Sequence, residues 1–220
     1  MANTLFLRLE GPLQSWGERA RWSVRDSAPE PTKSGVVGLL ACALGWSADA
    51  DLRNLSQALR MGVRCDRPGV PVVDYHTVVG GVIAADGKIK INANTREPET
   101  VVSWRTYLCD ASFLVAVQAG EDWIAQLSAA VQNPVWPIYL GRKSCPPAHP
   151  VFAGQGTYAN LETALWHDFP AGARLRVVIE CSPGEGVMRR DEVGSNRSRT
   201  FLPRYTREVW LSNSQLAEET

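Results

Sequence analysis

Phe113-Leu114-Val115-Ala116-Val117 is an unbroken apolar run, and after Gln118-Ala119-Gly120 comes Glu121-Asp122-Trp123-Ile124-Ala125-Gln126-Leu127-Ser128-Ala129-Ala130-Val131. The first stretch predicts a strand buried on both faces. The second places Trp123, Ile124, Leu127 and Val131 on one side and predicts an amphipathic helix. Pro134 stops that helix, and residues 135–140 predict a short strand leading into Gly141. Toward the N-terminus, residues 4–9 alternate Leu5, Leu7 and Leu9 with Phe6 and Arg8, which predicts a strand ending at Gly11-Pro12. Residues 13–32 have no periodicity and predict a long ordered loop or short hairpin. A helix is expected from an N-cap at Ser34 through Val36, Val37, Leu39, Leu40, Ala43 and Leu44 to Gly45. A second helical piece spans 51–59, and strands are expected at 61–65 and 70–79. Gly80-Gly81, Asp86-Gly87 and the alternating Lys88-Ile89-Lys90-Ile91 predict a projecting hairpin that returns through 92–102. Residues 104–117 read as one strand region. The order strand, helix, strand, strand, helix, strand is the α+β, ferredoxin-like (RRM-like) plan, with a long insertion between its central strands.

That domain is expected to occupy residues 1–152. Over 153–220 a helix near 158–166, a strand at 175–181, an Arg-rich loop at 189–204 and a strand at 206–211 predict a small β-rich C-terminal elaboration. The chain has 220 residues, 45% hydrophobic and 21% charged, which is enough apolar material for a sizeable core. Lys plus Arg equals Asp plus Glu at 23 each, so net charge gives no hint of nucleic acid and any such case rests on local clusters. Cys42, Cys65, Cys109, Cys145 and Cys181 lack any C-x-x-C pair and predict reduced buried thiols rather than a metal site. The opening residues carry no basic segment followed by a long apolar stretch, and no run approaches roughly 18 apolar residues, so a cytoplasmic protein without membrane contact is expected.

Four clusters carry candidate chemistry. Pro31-Thr32-Lys33-Ser34-Gly35-Val36-Val37-Gly38 feeds a small-residue turn into a helix start, where Lys33, Ser34 and the free N–H groups around Gly35 would attract a phosphate; the alternative is a plain N-cap. It lacks the first glycine of a P-loop. Gln14-Ser15-Trp16-Gly17-Glu18-Arg19-Ala20-Arg21-Trp22, with Arg25 beyond, interleaves rings and guanidinium groups as RNA-binding surfaces do; the alternative is tryptophans in the core and arginines in solvent. Tyr139-Leu140-Gly141-Arg142-Lys143-Ser144 sets two cations beside a glycine, fit for a phosphate or for a solvated turn. Tyr75, His76 and a lysine such as Lys88 or Lys90 could supply the base and acid of a metal-independent ribonuclease, although a structural His76 is the simpler reading. No G-x-S-x-G, H-E-x-x-H, G-x-G-x-x-G or clustered carboxylate set is present, and neither cofactor nor metal is expected.

With these residues in view, the chain resembles the CasD family, subunits of type I-E CRISPR Cascade complexes within the repeat-associated RAMP superfamily. Four blocks carry the resemblance, in the family's order and spacing: Leu5-Phe6-Leu7-Arg8-Leu9-Glu10-Gly11-Pro12-Leu13-Gln14-Ser15-Trp16-Gly17, Pro31 to Leu40, Arg105-Thr106-Tyr107-Leu108-Cys109-Asp110-Ala111-Ser112-Phe113, and Tyr139-Leu140-Gly141-Arg142-Lys143-Ser144-Cys145-Pro146. Tyr75-His76-Thr77-Val78 falls where that family has a similar segment. The resemblance spans residues 4–152 and departs at Thr106, where an acidic residue is expected. It implies a non-catalytic subunit with a palm and a β-hairpin thumb near 79–102. It also implies binding to the 5′ handle of the CRISPR guide RNA, contacts to a CasC-like backbone subunit and a CasA-like large subunit, and target DNA met only through the complex. On that reading Trp16, Arg19, Lys33, Ser34, Gly35, Arg105, Arg142 and Lys143 face RNA, with Arg21, Arg25, His76, Tyr139, Gly141 and Ser144 as further candidates. A related branch of the superfamily cleaves precursor CRISPR RNA, and that endoribonuclease role is the alternative.

Overall fold

Alternation along strand β1 (Thr4–Glu10) sends Leu5, Leu7 and Leu9 to one face of a sheet and Phe6 to the other, all four fully buried. The computed structural model describes residues 2–18, 23–46, 52–83, 87–195 and 200–212. After β1 come β2 (Leu13–Gln14), β3 (Val24–Arg25), α1 (Lys33–Ala43), α2 (Leu52–Ala58), β4 (Arg60–Arg67), β5 (Val70–Val78) and β6 (Val101–Cys109). They are followed by β7 (Ser112–Gln118), α3 (Glu121–Gln132), β8 (Phe152–Gly156), α4 (Leu161–Ala164), β9 (Arg174–Cys181), β10 (Val187–Ser195) and β11 (Thr200–Ser212). Seven strands form one sheet in the order β10-β11-β9-β4-β7-β1-β8, and every neighbouring pair is antiparallel. The mixed α+β class expected from the sequence is the one that forms.

Strand β7 lies between β1 and β4, which explains its continuous apolar run. Phe113, Val115 and Val117 join the cluster beneath α1, α2 and α3, whereas Leu114 and Ala116 join Leu161, Ala164 and Leu165 on the opposite face. Each buried Leu, Val or Phe contributes roughly 1.5–3 kcal/mol. A second, smaller sheet is built on β6, which pairs with β5 along one edge and with β2 and β3 along the other. It carries the ends of the 13–28 segment next to the main sheet.

Several sequence expectations shift. Residues 104–117 are two strands in two sheets, separated at Asp110, whose backbone has φ 55°. Residues 135–140 form no strand: Pro134 and Pro137 lack donors, and the Val135 amide donates to the Ala43 carbonyl instead of to a sheet. The strand that follows α3 and pairs with β1 is β8. The cap of α1 is Thr32 rather than Ser34, with Thr32 Oγ1 accepting from the Gly35 amide at 3.3 Å. The helix expected over 158–166 is a single turn, α4. The Arg-rich stretch is the facing strands β10 and β11, not a loop, and β9 to β11 continue the main sheet beyond β4. Beyond β5 and β6 the described part of the hairpin tip is tied by the isolated bridges Ile83 to Ile89 and Ile91 to Pro98.

Candidate nucleic-acid interface

Gln14 organises the first wall of the site. Its side-chain amide donates to the carbonyls of Leu9 and Ala111, at 3.0 and 2.8 Å, and its oxygen accepts from the Trp16 ring N–H at 3.0 Å. Trp16 is thereby held in the core at 1% exposure, so it plugs the fold and does not offer a face for stacking. Gly35 is needed beside it, because a Cβ there would sit 2.8 Å from the indole ring. On the other side, Gly141 has φ +87°, and a Cβ would lie 1.7 Å from the Ser15 carbonyl oxygen. The Ser15 amide in turn donates to the Leu140 carbonyl at 3.1 Å. These close approaches leave a cavity of about 350 Å³ at the start of α1, lined by Ser15, Gly17, Ser34, Gly35, Gly141 and Phe201 among others. Three glycines expose backbone to it.

The cations divide into structural and available groups. Lys33 is 2% exposed: its ammonium meets Glu180 at 3.1 Å and Glu192 at 3.8 Å, and its amide donates to Asp191 at 2.9 Å. It therefore ties α1 to β9 and β10 and has no reach to a ligand phosphate, contrary to the sequence reading. Arg204 completes that network through Asp191 at 2.6 and 2.9 Å. Burial alone would raise the Asp191 carboxyl, but the Arg204 bonds and charge hold it below the usual aspartate range. Burial raises Glu192, with Lys33 opposing. Arg189 pairs with Glu30 and, at 3.3 Å, with Glu18, while Arg176 meets Glu30 at 2.6 Å. These Arg residues of the C-terminal strands thus anchor the 18–30 segment.

Arg142 is also bound internally. It donates to the Thr106 carbonyl at 3.1 Å and the Arg25 carbonyl at 2.9 Å, and its guanidinium lies 4.6 Å from the Tyr107 ring centroid. It clamps the 139–145 turn onto β3 and β6. Arg25 and Arg105 are register partners; Arg25 is exposed, and Arg105, half-buried, donates to Ser103 at 3.1 Å. Lys143 and Ser144 are exposed, and Tyr139 and Lys143 border a second cavity. Arg19, Arg21 and Trp22 lie outside the described residues.

Tyr75 and His76 do not form a catalytic pair. Being consecutive on β5, they project from opposite faces of the small sheet. Tyr75 is 62% exposed with its ring 5.6 Å from that of Trp104, while His76 Nδ1 lies 3.6 Å from Asp74. Lys88 stands in the hairpin tip and is exposed. Among the described residues no group of three or more His, Cys, Asp or Glu side chains is placed to hold a metal ion.

Sequence reasoning missed Phe201, 45% exposed, and Ser195, which bring the end of the β10–β11 hairpin to the first cavity. The alternation of buried Arg204 and Thr206 with half-buried Tyr205 and exposed Pro203 and Arg207 was the available signal, masked because a cation stands where an apolar residue is expected.

A sequence profile of the family described as CRISPR-associated protein (Cas_Cas5) matches residues 4–213, from β1 through the C-terminal strands. The CRISPR system Cascade subunit CasD of Escherichia coli (strain K12) is 38% identical over 188 residues, 80% of this chain and 81% of that protein. A solved structure described as a crystal structure of Cas protein has TM-score 0.72 and 37% identity, with 96% of each chain covered. A chain from a CRISPR RNA-guided surveillance complex has TM-score 0.77 and 29% identity over 95% of this chain and 90% of that one. With one profile spanning β1 to β11 and both folds superposing over nearly the whole length, the chain belongs to the Cas5 family of CRISPR-associated proteins.

Proposed function

We propose that the chain is a non-catalytic subunit of a type I-E CRISPR Cascade surveillance complex, acting in the cytoplasm, that binds and caps the 5′ handle of the guide RNA. In that role it contacts a CasC-like backbone subunit and a CasA-like large subunit, and it meets foreign target DNA only through the complex. The observation that carries the reading is the 38% identity to a Cascade subunit across four fifths of the chain, together with the cavity where Ser34, Gly35 and Gly141 converge. The order β4-β7-β1-β8, which is second, third, first and fourth strand of a strand-helix-strand-strand-helix-strand unit, supports a ferredoxin-like RAMP palm. The β5–β6 hairpin supports a thumb. Single-stranded RNA is recognised by backbone contacts and splayed bases, and a cavity lined by Gly17, Gly35 and Gly141 suits the first of these. Guide pairing would then supply the target sequence specificity.

Against the endoribonuclease alternative stand the opposite orientations of Tyr75 and His76, which keep these two from serving as its acid–base pair and leave it only His76 or Tyr75 with a lysine. The test is a gel in which the full chain, alone and with the neighbouring subunits, meets a labelled unprocessed repeat RNA. Intact RNA retained with log K falling by roughly 0.7 per contacted phosphate as log salt rises supports the proposal. Discrete cleavage by the chain alone, abolished by His76→Ala, establishes the alternative.

A further inference from the structure

The 139–145 turn, which lends Gly141 to the first cavity, lends Tyr139 and Lys143 to a second, of about 470 Å³, lined by Cys42, Trp136, Pro137, Tyr139 and Lys143. That volume falls within the roughly 300–1,000 Å³ typical of small-ligand sites. Its walls are unusually well fixed for a proline-rich segment. The Val135 amide donates to the Ala43 carbonyl at 2.9 Å, capping the end of α1, and Gly45 packs so closely on Val135 that a Cβ would come within 2.6 Å of it. The Cys42 thiol donates to the Pro137 carbonyl at 3.4 Å. Trp136 is thus carried on a tethered backbone while 43% of its surface stays exposed. The backbone that carries this exposed indole therefore has little conformational freedom left to lose on binding.

Resting on the function proposed above, we infer that this cavity is a single-nucleotide subsite on the RNA path, in which a base stacks on Trp136 beside Tyr139 and its phosphate meets Lys143. Charge and continuity favour RNA over a protein segment. The bordering cation, Lys143, is exposed, and among the described residues no carboxylate is paired with its ammonium. The same turn supplies Gly141 to the first cavity and Tyr139 and Lys143 to the second, so one strand crossing the bare Gly141 backbone reaches both. Burial raises the Cys42 thiol, with the Lys143 charge opposing, which keeps the floor neutral near pH 7 and suited to an aromatic ring. Stacking platforms of this kind tolerate any base.

The test measures affinity of the full chain for a labelled single-stranded RNA carrying the repeat-derived 5′ segment, following Trp136 fluorescence against a Trp136→Phe control. Trp136→Ala is expected to weaken binding about 5- to 150-fold, the equivalent of one lost stacking partner, with substantial rescue by Trp136→Phe. Lys143→Ala is expected to lower the salt slope by roughly 0.7. If the wild type binds and Trp136→Ala binds equally well with the same salt slope, the subsite is overturned and the proposed function stands. If Trp136→Ala keeps full RNA affinity but no longer assembles with a neighbouring subunit, the cavity is a protein-docking site and the inference again fails. Absence of RNA binding by the wild type, alone and assembled, would overturn the proposed function and this subsite together.

Discussion

Gly141 and Lys33 are the two positions where a single atom decides what the site can be. A methyl group at 141 would meet the Ser15 carbonyl at 1.7 Å in a left-handed backbone. Gly141→Ala is therefore expected to destabilise the fold by about 1–3 kcal/mol from backbone strain, and to displace the turn that borders both cavities. Thermal unfolding checks the first effect and RNA titration the second. Lys33 behaves oppositely to its appearance in sequence. Removing its ammonium leaves Glu180 with only Arg204, at 3.7 Å, and Glu192 without its ion-pair partner, so Lys33→Ala should cost about 3 kcal/mol, or a fall in Tm of roughly 6–12 °C. A lysine that contacted phosphate would give the reverse pattern, lower RNA affinity at unchanged Tm. Nothing local in Thr32-Lys33-Ser34 distinguishes these outcomes, because the partners of Lys33 lie about 150 positions later in the chain.

At the scale of elements, strands announced by apolar periodicity were legible and those organised by charge were not. β1, β7, α3 and β9 follow from leucine, valine and isoleucine spacing. β10 and β11 bury Asp191, Arg204 and Thr206 in place of apolar residues, so the period was hidden. The same charges give this hairpin a pH signature. Asp191 is held below its ordinary 3.8 in the folded state, so its contribution is present above that value and is lost as pH falls through the folded one. Glu192 is raised above its ordinary 4.5, so its contribution is present below that value and is lost as pH rises through the folded one. Denaturant midpoints measured from pH 2 to 7 should show a steep acid limb that Asp191→Asn flattens, and a shallower decline above pH 4.5 that Glu192→Gln removes. Hydrogen exchange should place β10 and β11 among the first strands to open in acid.

For the molecule as a whole, the balanced charge of 23 cations and 23 anions is explained by where the cations are spent. Lys33, Arg64, Arg176, Arg189 and Arg204 are engaged with carboxylates inside the fold, whereas Arg25 and Lys143 stand exposed. The family resemblance rests on four short blocks and implies RNA contact for Trp16, Lys33 and Arg142, side chains that the structure uses internally to hold those loops in place. What the sequence could not reveal was the convergence of Phe201 on the same cavity, since that depends on β9 to β11 extending the sheet. The most direct measurement is photo-crosslinking of 4-thiouridine, placed at successive positions of the repeat-derived 5′ segment, to the chain in its assembled complex, with the peptides mapped by mass spectrometry. The account predicts crosslinks to peptides carrying Ser15 to Gly17, Gly35, Gly141 and Phe201, whereas crosslinks confined to other subunits would contradict it.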